Sequence, residues 1–212
     1  MAAPIPWLPF ALAILNSLVQ LGGVALLGWP IGNIFLLLWI ENVIITLVAI
    51  VRMAGVRNAP DGGMGTKLMT SFALLFFCLV HGGFAITLAF STGLDLTMTM
   101  FVAPLILLVV RYAVEVIGWY AGGHRPATIS EAHGFAMRRV VMLHVAIIAC
   151  WGLIIMVVVQ GGLGRLPEGW DLASLPLLVL GVLLVIKTIA ELHAIRVGPN
   201  APTSWKLRAG RF

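Results

Sequence analysis

The feature that most constrains this chain is a stretch of about twenty residues, nearly all apolar, that recurs six times between Leu8 and Val197. A core helix of a water-soluble protein stays apolar for roughly 10–14 residues, whereas crossing the hydrocarbon of a bilayer takes about 20. Composition agrees: 61% of the residues are hydrophobic and 10% charged, against roughly 45–50% and 25% in soluble domains. The apolar stretches leave no length for a separate soluble domain, so residues 1–212 read as one integral-membrane domain whose first partner is the lipid bilayer. The net charge of +5 does not indicate a nucleic-acid reader. The bases lie singly or in pairs in short loops and form no stripe on a folded face.

Hydropathy and punctuation predict spans at Leu8–Gly28, Ile31–Met53, Leu68–Ser91, Thr99–Ala121, Arg138–Gly161 and Ser174–Val197, an all-α bundle of six transmembrane helices. Gly28-Trp29-Pro30, the polar loop Asn58–Gly63, and Gly161-Gly162 with Arg165-Leu166-Pro167 supply the breaks. Ten bases fall at one end of the bundle: Arg52, Arg57, Lys67, Arg125, Arg138, Arg139, Arg196, Lys206, Arg208 and Arg211, while the opposite loops hold only Arg165. The positive-inside rule then puts both termini in the cytoplasm, with residues 198–212 as a basic cytoplasmic tail. Aromatic residues expected at the boundaries are Trp7, Trp119, Tyr120 and Trp205 inside, and Trp29 and Trp170 outside. Met1–Phe10 carries no Lys or Arg, so the first apolar stretch reads as a retained span and not as a secretory signal. The two cysteines, Cys78 and Cys150, offer neither a disulfide framework nor a CxxC metal site.

The polar residues inside these spans are Glu41, Asn42, His81, Arg111, Glu115, His144, Lys187, Glu191 and His193. A charge at mid-span costs about 2.5–3.5 kcal/mol, so the five Glu, Arg and Lys residues would together cost roughly 12–17 kcal/mol unpaired. They must be paired, neutralised or wetted. Arg111 and Glu115 stand four apart, as do Lys187 and Glu191, so each acid has a base one helical turn away on its own face. Glu41 has no such base and must turn to Arg111, Lys187, a histidine, a proton or a metal ion. Counting at 1.5 Å per residue from the inner boundary predicts two layers. Glu115, His144 and Glu191 fall about 9 Å deep, and Glu41, His81, Arg111 and Lys187 lie farther in. His193 points away from the face of Glu191.

Base-x-x-x-Glu recurs at Arg111–Glu115 and Lys187–Glu191, with a histidine, His81 or His144, earlier in each hairpin. Such a repeat would relate hairpins by an axis along the membrane normal. For the self-spaced pairs the plain reading is glue between helices and the sharper one a pathway; for Glu41 with Asn42 the functional reading weighs more, because a lone carboxylate is the costliest case. Gly82-Gly83 reads as close helix packing, and Cys78 as a small hydrophobe. Haem held by two histidines is disfavoured, since the depth count separates His81 and His144 by about 10 Å. A divalent metal on Glu41, His81, His144 and Glu191 has the ligand types but no ExxH or HExxH spacing. A proton relay needs only acids, bases and imidazoles in contact.

The segments Trp39-Ile40-Glu41-Asn42, Phe77-Cys78-Leu79-Val80-His81-Gly82, Met142-Leu143-His144 and Lys187-Thr188-Ile189-Ala190-Glu191 resemble, span by span, an uncharacterised family of bacterial integral-membrane proteins, a domain of unknown function. The resemblance implies a bacterial inner-membrane home and marks the same polar positions, with Glu191 standing where many members have Asp. It brings no activity. The residues themselves point first to a buried cluster, Glu41, Asn42, His81, Arg111, Glu115, His144, Lys187 and Glu191, that binds a small polar solute or ion with proton coupling. The rivals are an intramembrane metal-dependent enzyme and a structural accessory subunit, whose partner would be a second copy or a membrane complex.

Overall fold

The computed structural model describes residues 7–57, 59–162 and 175–200, and every regular element among them is helical. The elements are α1 (Trp7–Leu27), α2 (Ile31–Gly55), α3 (Met64–Ser91), a π-helical turn (Met98–Val102), α4 (Ala103–Ala121), α5 (Ile129–Gly162) and α6 (Leu175–Val197). Five stretches, Trp7–Leu27, Ile31–Gly55, Met64–Ser91, Met98–Ala121 and Leu177–Val197, are long and apolar enough to cross a membrane. The fifth-to-sixth loop with Arg165 and Trp170, the tail with Trp205, Lys206, Arg208 and Arg211, and the side chain of Cys150 lie outside the described residues.

Helix α5 starts nine residues before the expected Arg138. The reason is local and chemical. The first backbone N–H groups of a helix lack intrahelical partners, and here acceptors from two segments satisfy them. The Asp61 carboxylate, reaching from the α2–α3 loop, accepts from the N–H of Ile129 at 3.0 Å and of Ser130 at 2.8 Å. Thr128 Oγ1 accepts from the N–H of Glu131, whose carboxylate reaches back to the N–H of Ala127, a variant of the capping box. Burial alone would raise the Asp61 carboxyl, but the backbone N–H groups of Ser130, Ile129 and Asp61 itself together hold it below its usual range.

The α2 helix is the hub, packing on α3, α4, α5 and α6, while α1 packs against α4 and α6. Apolar side chains close the bundle in two clusters. One, at the end holding the α1–α2 turn, joins Ile34, Leu37 and Leu38 to Leu88, Leu180 and Leu183. The other, at the end holding the α4–α5 loop, joins Ile45, Ala49 and Met53 to Leu108, Ala132, Phe135 and Ala136. Between them along α2 lie Glu41 and Asn42. Among lipid tails, helices gain little from hiding apolar surface from each other, so close approach and polar contacts hold them together. A Cβ on Gly32 would overlap the carbonyl oxygens of Ala89 and Gly93, and one on Gly82 would overlap the Trp39 indole, so the close packing expected of Gly82-Gly83 holds at Gly82, while Gly83 faces open space. Asn33 fastens the same end: its amide donates to the carbonyls of Asp95 at 2.6 Å and Met100 at 3.0 Å, and accepts from the N–H of Asp95.

Candidate functional site

The bundle centre holds three carboxylates and three bases, all at most 5% exposed. The Arg111 guanidinium donates to Glu41 at 2.9 Å and to Glu191. The Lys187 ammonium lies 2.8 Å from the other oxygen of Glu41. Arg139 pairs with Glu115 at 2.5 Å and reaches Glu191 at 3.5 Å. The Tyr112 hydroxyl, buried above the same acids, donates to Glu41 at 2.9 Å. Charge is therefore balanced, three against three, along an unbroken chain from Glu115 through Arg139, Glu191, Arg111 and Glu41 to Lys187. Balance matters because each isolated ion would carry a desolvation penalty of several kcal/mol.

Glu41 thus finds its bases on α4 and α6, as its isolation on α2 demands. The two pairs read from four-residue spacing do not form. Arg111 passes over Glu115 for Glu41 and Glu191, and Lys187 passes over Glu191 for Glu41. On a helix surface an i,i+4 pair is worth only a few tenths of a kcal/mol, and acids on facing helices in the interior outbid it. The base that Glu115 requires is Arg139, counted from the sequence among the loop bases. It is 3% exposed, carried inward because α5 begins earlier than hydropathy suggests, and its guanidinium lies 4.9 Å from the Phe135 ring. Arg52, also counted with the loops, is buried and donates to the carbonyl of Pro199 and the side chain of Asn200.

The expected convergence of Glu115, His144 and Glu191 is replaced by a different grouping. Arg139 bridges the two acids, while His144 packs on His81 with ring centroids 4.0 Å apart and on Phe77 at 4.1 Å. Depth counting fails here because α3 and α5, at 28 and 34 residues, exceed the length needed to span, so boundary-to-residue distance is no measure of depth. His144 Nδ1 bonds the carbonyl of Val140 at 2.7 Å, and buried His81 Nε2 has no partner among the described residues. The imidazoles lie against each other with no room for a porphyrin between them. Nor are Glu41, His81, His144 and Glu191 assembled as one ligand set: among the described residues no three His, Cys, Asp or Glu side chains are placed to hold a metal ion. His193 is exposed and stands apart.

Sequence reasoning missed a second polar group. Along α1, Asn16, Ser17 and Gln20 face inward, with the two amides fully buried. Thr188 on α6 donates to Ser17 at 2.7 Å. Among the described residues, both side-chain polar atoms of Asn16, of Gln20 and of Asn42 lack hydrogen-bond partners. Polar residues at i, i+1 and i+4 in an otherwise apolar helix were the signal.

Two cavities touch the cluster. A small one between Glu41, Arg139, Lys187 and Glu191 measures about 10 Å³, close to the least that holds one water molecule. A large one of about 640 Å³ opens at the α4–α5 end between α1, α4 and α6, lined by Leu8, Glu115, Trp119, His124, Arg196 and Asn200 among others. Its volume is that of a small-molecule site. Glu115 joins it to the cluster: one oxygen pairs with Arg139, and the other, buried, has no partner among the described residues.

A helical bundle with five stretches long and apolar enough to cross a membrane, a charge-balanced ionic core and a cavity at one end defines a multi-pass membrane protein, with no chemistry fixed by the fold itself. Residues 1–206 match a family of unknown function, DUF6498, and the chain belongs to that family. Neither a curated protein nor a solved structure matches it.

Proposed function

We propose that this protein binds a small polar solute in the cavity floored by Glu115 and couples its passage to protonation of that carboxylate. It crosses a bacterial inner membrane six times with both termini cytoplasmic. The observation that carries the reading is the double placement of Glu115. It forms part of the cavity lining and belongs to the buried ionic chain through Arg139. Of the three buried acids, only Glu115 has an oxygen with neither a hydrogen bond nor an ion pair among the described residues. A proton arriving there weakens the hold on Arg139, which then leans further on Glu191; a change at the cavity is passed to the bundle centre through paired groups alone. Orientation rests on the bases. With Arg52 and Arg139 set aside as buried, eight of the ten bases that the sequence assigns to the inner side remain, against Arg165 in the opposite loops. The cavity then opens to the cytoplasm.

Trp119 lines the same cavity and reports on it. The fluorescence of purified protein in detergent, taken as the difference between the wild type and Trp119→Phe, is expected to change with pH in a single step that Glu115→Gln removes. A step that survives Glu115→Gln would overturn the assignment. The structural-subunit reading draws support from the balance of the core. Its mark would be a stoichiometric partner after gentle solubilisation, with no such step.

A further inference from the structure

Among the described residues, helix α1 carries the uncharged members of the buried polar set that have no protein partner on either side-chain atom, apart from Asn42. A buried amide left unpaired costs about 1–3 kcal/mol, so two on one helix face are not retained for packing. Helix α1 meets the bundle only through α4 and α6 among its main neighbours, and its buried face is Ala13, Asn16, Ser17, Gln20 and Gly23. The same three helices wall the large cavity, through Leu8 and Pro9 on α1, Glu115 on α4 and Ile195 on α6. Asn16 lies seven residues beyond Pro9, and Thr188 seven beyond Ile195, both about 10 Å deeper. The 2.7 Å bond between Ser17 and Thr188 shows that the two counts reach the same level. Gln20 lies another turn in.

We propose that the α1–α4–α6 wedge is a solute lane continuing the cavity, with Asn16 and Gln20 as its binding residues, and that its ligand is a small uncharged molecule with adjacent hydrogen-bond donors and acceptors, a carboxamide or a polyol. Two observations select that class. A primary amide presents a donor and an acceptor side by side, which matches a ligand that does the same. In addition, the polar side chains named along the wedge, Asn16, Ser17, Gln20 and Thr188, carry no charge, and the three bases of the core are paired with its three acids, so beyond the cavity the lane offers an ion no free counter-charge. The inference rests on the cavity reading above but not on the titration of Glu115.

The test uses the full chain with Cys78→Ser and Cys150→Ser, in membrane vesicles, carrying one of Asn16→Cys, Gln20→Cys, Leu15→Cys or Leu18→Cys. Leu15 and Leu18 are exposed on the outer face of α1 and serve as lipid-facing controls. The probe is a charged methanethiosulfonate, which reacts with the hydrated thiolate; modification at positions 16 and 20 is expected at least about tenfold faster than at 15 and 18. Acetamide or glycerol should slow labelling at position 16, and acetate or methylammonium should not. Equal rates at all four positions would overturn the lane. Protection by the charged probes, or by none, would overturn the ligand class. If labelling behaves as expected while the Trp119 step is independent of Glu115, the lane stands and the proton coupling falls.

Discussion

The two buried polar regions of this bundle meet the same solvent problem in opposite ways. In the core between α2, α4, α5 and α6, formal charges are locked to one another: Arg111 serves two acids and Glu41 serves two bases and Tyr112. Along α1 the groups are neutral, and the amides of Asn16 and Gln20 stand without partners. The difference follows from cost. An uncompensated ion in the interior is too expensive to leave waiting, whereas an amide can be wet, dry or liganded within about 1–3 kcal/mol. A fixed charged scaffold beside an exchangeable neutral face is a workable division of labour between holding the helices together and the ligand exchange proposed above.

That contrast breaks most visibly at Arg111. Arg111→Ala leaves three buried acids to two bases, with Lys187 the one base on Glu41 and Arg139, at 3.5 Å, the one base on Glu191, and is expected to cost about 3–5 kcal/mol, read as the loss of thermal stability in detergent or of folded protein altogether. A small loss would mean that the core is not a scaffold. Glu41→Gln keeps shape but leaves Lys187 and Arg111 with a surplus positive charge; about 1–3 kcal/mol should go, and adding Lys187→Met in the same chain should restore part of it. Asp61→Ala supplies a yardstick outside the core, where a lost helix cap costs about 1 kcal/mol. Its sign with pH is fixed by the depressed carboxyl of the folded state. The cap contributes fully above the ordinary carboxylate range and is lost as pH falls through the folded-state value, so wild type and Asp61→Ala should converge in acid. Asn16→Leu is expected to do least, staying within about 1 kcal/mol of wild type and on the stable side. A loss as large as that of Glu41→Gln would show that Asn16 is a structural partner and erase the distinction.

The helices and the buried acids were legible in the sequence because both follow from one-dimensional rules: run length against bilayer thickness, and the cost of a charge within a run. Pairing was not legible, because it depends on which helix faces which. Four-residue spacing pointed Arg111 at Glu115, yet the facing acids on α2 and α6 hold it. Arg139 was hidden by its place beside Arg138 at a hydropathy edge, although Thr128-Ile129-Ser130-Glu131 already carried the start signal of a longer helix. His81 and His144 were separated by a depth count that assumed helices only as long as the membrane is thick. Asn16 and Gln20 went unremarked because they bear no charge, although at four residues apart they mark a face as surely as ions do.

The long reach of the Glu41 contacts bears on how the chain is made. Arg111 follows Glu41 by 70 residues, and Lys187 comes later still. As the protein is synthesised, α2 is complete and must leave the insertion machinery while its carboxylate has no counter-ion, at a cost of about 2.5–3.5 kcal/mol in lipid. The second helix therefore has reason to linger at the exit site until the fourth emerges, a cost that favours integration of the helices in groups over their release one at a time.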